Sequence, residues 1–142
     1  MRLGSLLEPG DLVCLQGELG AGKTTLVQGM AQGWGSLDPV SSPTFVLVNE
    51  YRRPHACRLF HMDAYRLASA TEAAQLDIDW MLAEGALVIE WPERVQGVLP
   101  EQALRVYLEV ITEEQRQMRF NAQGARYDRL LTSLQRTVFG VA

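Results

Sequence analysis

The stretch Gly17-Glu18-Leu19-Gly20-Ala21-Gly22-Lys23-Thr24 constrains this chain more than any other, because it meets the phosphate-binding pattern G-x-x-x-x-G-K-[ST] at every fixed position. The apolar run Leu12-Val13-Cys14-Leu15 before it reads as a buried strand. Thr25 to Gln32 after it reads as a helix start, with Leu26, Val27, Met30 and Ala31 on one face and Gly33 or Gly35 as the stop. Strand, glycine-bearing loop and helix in that order are what the motif requires. Gly20 and Gly22 let the backbone curl without a Cβ clash, so successive N–H groups point inward at phosphate oxygens and the positive end of the helix adds to them. Lys23 then reaches the outer phosphates as a point charge, and the Thr24 hydroxyl completes the shell of a magnesium ion that otherwise keeps mostly water. The competing reading is a glycine-rich turn with one exposed lysine. The flanking strand and helix favour nucleotide binding.

A length of 142 residues, 47% apolar and 21% charged, suits a single domain with one good core. The formal net charge of −4 offers no field that would draw the chain to nucleic acid or an anionic membrane. Any link to RNA is therefore expected to run through a partner. The apolar runs fall far short of the ~20 residues of a spanning helix, and Met1-Arg2-Leu3-Gly4 leads into Glu8-Pro9-Gly10-Asp11 with no signal-type core, so a cytoplasmic setting is expected. Cys14 and Cys57 have no thiol or histidine at metal-like spacing and read as reduced, structural residues.

The rest of the chain reads as α/β. Arg2 to Glu8 suits the tail of a helix, and Pro9-Gly10-Asp11 a turn. After a Ser41-Ser42-Pro43 turn, a β-rich run continues to Tyr51, and a second strand spans Cys57 to Asp63. The short link between them predicts an antiparallel hairpin. Alternation puts Leu59, His61 and Asp63 on one side of that strand and Phe60 and Met62 on the other. Ala68 to Glu84 is helical in pattern, with Ala73, Leu76, Trp80 and Met81 on one face, Asp77 and Asp79 on the wet side, and closure at Gly85. The continuous run Ala86-Leu87-Val88-Ile89 belongs at the centre of a sheet, with Glu90 and Trp91 at its carboxyl end, where ligands lie in open α/β sheets. Leu104 to Ile111 reads as an alternating strand with one wet face, paired in a hairpin with Met118 to Ala122. Tyr127 to Val138 reads as an amphipathic helix with Leu130, Leu131 and Leu134 on its apolar side.

Phosphate-loop chemistry needs a carboxylate to fix magnesium and often another group to orient the attacking water. Glu90 and Asp63 both end apolar strands. Glu90, after the cleaner run, is the first choice for the metal, leaving Asp63 to position water. His61 either contributes to that site or is a packed, hydrogen-bonded strand residue. Trp91 lies against the nucleotide or closes the core. Thr44 is a candidate sensor of the γ-phosphate or an ordinary turn residue. Arg94, Arg116 and Arg119 are candidate phosphate or base contacts, with exposed surface arginines as the alternative.

Taken together, Gly17 to Thr25, Ser42-Pro43-Thr44-Phe45 running to Asn49-Glu50-Tyr51, His61-Met62-Asp63-Ala64-Tyr65-Arg66-Leu67 and Ile89-Glu90-Trp91-Pro92-Glu93 resemble the TsaE family of bacterial ATPases, which support synthesis of threonylcarbamoyladenosine in tRNA. The resemblance covers roughly residues 9 to 122. It implies a P-loop NTPase-like three-layer α/β domain with a mixed, mainly parallel-core sheet and antiparallel hairpins, binding ATP and Mg2+. It also implies partnership with the threonylcarbamoyl transferase and its dimerising companion, which carry the tRNA chemistry. Carried over by position, Gly20, Ala21, Gly22, Lys23, Thr24 and Thr25 hold the phosphates, Thr24 and Glu90 the metal, and Glu93 and Arg116 the nucleotide. Asp63, with Lys23, serves hydrolysis. Two departures from the family pattern stand out: the part before the loop is short, lacking the family's additional first strand, and Gly124 to Ala142 continues beyond the last hairpin as a helical extension.

A small-molecule or nucleotide kinase is the alternative, since the same loop serves such enzymes; the hairpins here occupy the space that kinases give to an acceptor pocket and an arginine-rich lid. A module using nucleotide only as a structural ligand is a third reading. No Asn-Lys-x-Asp guanine motif is present.

Overall fold

The computed structural model describes residues 2–17, 23–35, 48–52, 58–64 and 78–139. Gly20, Ala21 and Gly22 of the loop, the Ser41-Ser42-Pro43-Thr44 turn, Cys57 and most of the helix expected from Ala68 onward lie outside the described residues.

The elements in chain order are α1 (Arg2–Leu6), β1 (Leu12–Gly17), α2 (Lys23–Trp34), β2 (Val48–Arg52), β3 (Arg58–Asp63), α3 (Ile78–Glu84), β4 (Gly85–Glu90), a 3-10 segment (Pro92–Val98), β5 (Ala103–Val110), β6 (Arg116–Gln123) and α4 (Ala125–Phe139). They form one six-stranded sheet in the order β2-β3-β4-β1-β5-β6. The four inner strands are parallel, and each outer strand is antiparallel to its neighbour. This is the mixed sheet with a parallel core and two edge hairpins that the sequence predicts.

Side-chain alternation divides the core into two layers. Val13, Leu15, Leu59, Val88, Leu104 and Val106 face α1, α2 and α4, whose Leu3, Val27, Met30, Tyr127, Leu130 and Leu134 pack on them. Leu12, Cys14, Phe60, Met62, Leu87 and Ile89 face α3 and the 3-10 segment, which supply Ile78, Met81 and Val95. Helices on both faces of a parallel sheet explain why β4 is buried at every residue and reads as an unbroken apolar run. The same covering corrects the expectation for β5. Its first four residues are buried on both faces, and only its end, Glu109 and Val110, is wet.

Helix α2 stops at Trp34, followed by Gly35 at φ 91°, a left-handed position where a glycine carries no steric cost. Helix α3 runs into β4 with no loop. At that junction Gly85 lies so close to β3 that a Cβ would overlap the Arg58 carbonyl oxygen, its ladder partner. Trp80 does not join the apolar face as expected. It is 44% exposed and meets Phe60 edge-on, with the Arg58 guanidinium over its ring. Met81, its neighbour, is the residue that enters the core.

At the amino end of β1 the last helix is tied down. Arg126 donates from Nε and Nη2 to the two carboxylate oxygens of Asp11, at 2.9 and 2.7 Å, and to the Leu6 carbonyl at 3.0 Å. The Leu12 amide donates to the Tyr127 hydroxyl at 2.9 Å. The stretch after the final hairpin is therefore part of the helical layer over the sheet.

Candidate functional site

Parallel pairing brings the carboxyl ends of β1, β3, β4 and β5 to one edge of the sheet, and the residues singled out for chemistry stand on those ends. Gly17 closes β1, Asp63 closes β3, and Glu90 closes β4. Asp63 and Glu90 are ladder partners, and the ladder continues one step further, where the Ala64 amide donates to the Glu90 carbonyl at 3.0 Å. Both acids are thus fixed at the backbone, side by side on one face. Asp63 is half-buried and Glu90 only 5% exposed.

Lys23 is the first residue of α2 and is 6% exposed. Its ammonium donates to the Gly17 carbonyl at 2.7 Å and lies 3.8 Å from the centroid of the Trp91 indole. Burial pulls its pKa below the usual lysine value, while the nearby charges of Glu90, Asp63 and Glu93 oppose that shift. The carbonyl, the ring face and the three carboxylates all favour the charged ammonium, against the burial that works the other way. Trp91 reaches this position through a left-handed backbone, φ 59°, a conformation that costs roughly 1–2 kcal/mol outside glycine.

Glu90 has a partner that the sequence did not reveal. His61 Nε2 lies 2.6 Å from Glu90 Oε2, with the imidazole fully buried, and the Tyr51 hydroxyl lies 3.4 Å from His61 Nδ1. The histidine is both packed and part of the site. Alternation placed it on the face of Asp63, but its bond to β4 needed the strand register. Gln16, next to last in β1, is a second residue at this edge that no sequence motif marks. Its side-chain amide donates to Glu93 Oε2 at 3.4 Å, and a polar residue closing an apolar strand is the signal that would have found it.

The remaining expected residues fall as follows. Thr24 and Thr25 follow Lys23 in α2; Thr25 is exposed, and the Thr24 side chain lies outside the described residues. Glu93 is exposed on the 3-10 segment beside Gln16. Arg116 opens β6 opposite Val110, two steps past the Leu108–Gly17 pairing, so the hairpin brings its backbone to the same edge. Its side chain lies outside the described residues. Arg119 stacks on Tyr107, 5.2 Å from the ring centroid, and lines a cavity of about 380 Å³ with Gln16 and Gly17.

No cluster of three or more histidine, cysteine, aspartate or glutamate side chains able to cage a metal occurs among the described residues. The donor chemistry suits Mg2+ nonetheless. That ion is held by one or two carboxylates together with phosphates and water rather than by an all-protein cage, and here Glu90 keeps one oxygen beyond the bond to His61, with Asp63 alongside.

Residues 1–118 match the profile of the family described as "Threonylcarbamoyl adenosine biosynthesis protein TsaE". The chain belongs to the TsaE family. Among TsaE relatives, the Bacillus subtilis tRNA threonylcarbamoyladenosine biosynthesis protein TsaE is 36% identical over 129 residues, covering 91% of this chain and 80% of the relative. The Treponema pallidum protein of the same name is 41% identical over 117 residues, covering 82% and 85%. The crystal structure of Bacillus subtilis YdiB superposes with a TM-score of 0.77 at 31% identity, covering 96% of this chain and 84% of that one. The phosphate-loop fold expected from the sequence is therefore the fold of this TsaE chain.

Proposed function

We propose that this chain is a P-loop ATPase required for the threonylcarbamoyladenosine modification of tRNA, binding and hydrolysing ATP with Mg2+ in complex with the threonylcarbamoyl transferase and its dimerising companion. The observation that carries the reading is the gathering of Lys23, Asp63, Glu90 and Glu93 at the carboxyl ends of parallel strands, directly after a phosphate loop. The names of the relatives, tRNA threonylcarbamoyladenosine biosynthesis proteins, support the pathway. A net charge of −4 supports contact with tRNA only through the complex, in the cytoplasm where that complex works. We read residues 1–142 as one such domain, with 124–142 as its C-terminal helical extension.

In this reading Lys23 exchanges the Gly17 carbonyl for phosphate oxygens, and Gly20 to Thr25 hold those oxygens through the backbone and the Thr24 hydroxyl. Glu90 and Thr24 would hold Mg2+, which when bound neutralises charge on the outer phosphates. Asp63 accepts a hydrogen bond from a water and aims its oxygen at the γ-phosphorus, so that the new P–O bond forms as the β–γ bridge breaks. Glu93 and Arg116 would contact the nucleotide.

The test is a reconstituted tRNA-modification assay. Turnover of ATP should be slow with the protein alone and rise when transferase, companion and tRNA are added, and Lys23→Ala should abolish modification. Intact modification with that variant would remove the nucleotide role. A phosphorylated metabolite formed in step with ADP, found by mass spectrometry, would favour the kinase instead.

A further inference from the structure

The fully buried imidazole of His61 bridges two elements that the proposed chemistry uses differently: the central strand β4, which carries Glu90, and the edge strand β2, which carries Tyr51. The ladder fixes all three on one face. Tyr51 is opposite Leu59, His61 stands two residues further along β3, and Glu90 is opposite Asp63 two residues beyond that.

The donors and acceptors assign the protons. A carboxylate only accepts, so the 2.6 Å contact is made by an Nε2–H of His61 donating to Glu90 Oε2. In the tautomer with Nδ1 bare, that nitrogen accepts from the Tyr51 hydroxyl 3.4 Å away. The chain Tyr51 O–H, His61 Nδ1, His61 Nε2–H, Glu90 Oε2 then runs in one direction, and among the described residues it leaves Glu90 Oε1 as the oxygen open to a cation.

We infer that His61 is a positioning residue for the metal-binding carboxylate: it occupies one oxygen of Glu90, aims the other, and is itself held in a single tautomer by Tyr51. Supports of this kind commonly change metal affinity by about 10–100-fold when removed. The inference rests on Glu90 being the acid that binds the metal, and the experiment separates the two.

Mn2+ binding to the protein–ATP complex is followed by the loss of its free-ion electron-spin-resonance signal, and metal-free ATP binding by calorimetry in chelator. His61→Leu keeps the bulk and removes the donor; it should weaken Mn2+ about tenfold and leave metal-free ATP affinity within about twofold. His61→Gln returns an N–H near the position of Nε2 and should recover to within about threefold of the parent. Tyr51→Phe keeps the ring and removes the hydroxyl, giving a smaller loss in the same direction. Glu90→Gln is the reference. If it leaves Mn2+ affinity unchanged, the reading of Glu90 itself fails. If Glu90→Gln weakens the metal while His61→Leu does not, or if His61→Gln is as weak as His61→Leu, the positioning role is overturned alone. Should His61→Leu not fold, nitrogen-15 spectra of the parent protein still decide, because an Nδ1–H tautomer contradicts the assignment and an Nε2–H tautomer supports it.

Discussion

Strand β1 has charge at both of its ends, and the two ends handle it in opposite ways. At the amino end, Asp11 is neutralised inside the protein by a two-pronged bond from Arg126 and accepts the Glu8 amide at 2.8 Å, while the Tyr127 hydroxyl takes the first strand amide. At the carboxyl end Lys23 faces Glu90, Asp63 and Glu93, an excess of negative charge among the described residues, and its own bonds are to a carbonyl and a ring. The first arrangement is closed and serves stability. The second gathers more acids than bases around one ammonium, an arrangement to which, under the proposed function, a polyphosphate with its cation would add.

The contrast predicts that substitutions at the two ends separate activity from stability. The largest effect is expected from Lys23→Ala, which should lower partner-stimulated ATP turnover by at least ~100-fold while the urea midpoint stays near that of the parent; parallel losses in both would erase the distinction. At the other end Arg126→Ala leaves the buried Asp11 carboxylate unpaired and should cost about 3 kcal/mol in urea unfolding, with turnover per folded molecule within about twofold of the parent. A large loss of turnover there would mean that the ends are coupled.

Cys14, midway along β1, sharpens the comparison because it belongs to neither end. Burial lifts its thiol pKa from 9.0 to about 11. A raised folded pKa means that the folded state keeps its proton longer than the unfolded chain, so the associated stability is complete below pH 9 and declines as pH rises towards 11. Burial raises the Tyr127 hydroxyl as well, which acts in the same direction. Thermal unfolding between pH 8 and 11 should show a loss of roughly 2 kcal/mol from the thiol, flattened in Cys14→Ala, and native Cys14 should resist alkylation at neutral pH. The smallest effect is expected from Tyr127→Phe, which leaves the Leu12 amide without its acceptor and should cost about 1–2 kcal/mol, again without altering turnover per folded molecule.

The carboxyl end was legible in the sequence because its parts are locally encoded. The loop motif, the apolar runs that end in Asp63 and Glu90, and the short links that force hairpins each occupy a few consecutive residues. The amino end was not legible. Asp11 and Arg126 are separated by most of the chain, and nothing in either segment names the other. The same limit hid the bond from His61 to Glu90, which depends on how β3 and β4 align rather than on the composition of either strand. Trp80 departs from its expected face for a different reason: helical spacing gives a direction, but the indole meets Phe60 and Arg58 at the edge hairpin and stays half in water.

The tight junction at Gly85 reaches further than its own turn. Gly85 with Arg58, and Glu90 with Asp63, are the first and last rungs of one continuous strand pair. A methyl group at position 85 would act as a wedge at one end of that pair, prising β3 from β4. The two acids at the far end would then lose their common level. The spacing between them is thus gauged, across the full height of the sheet, by a side chain that is not there.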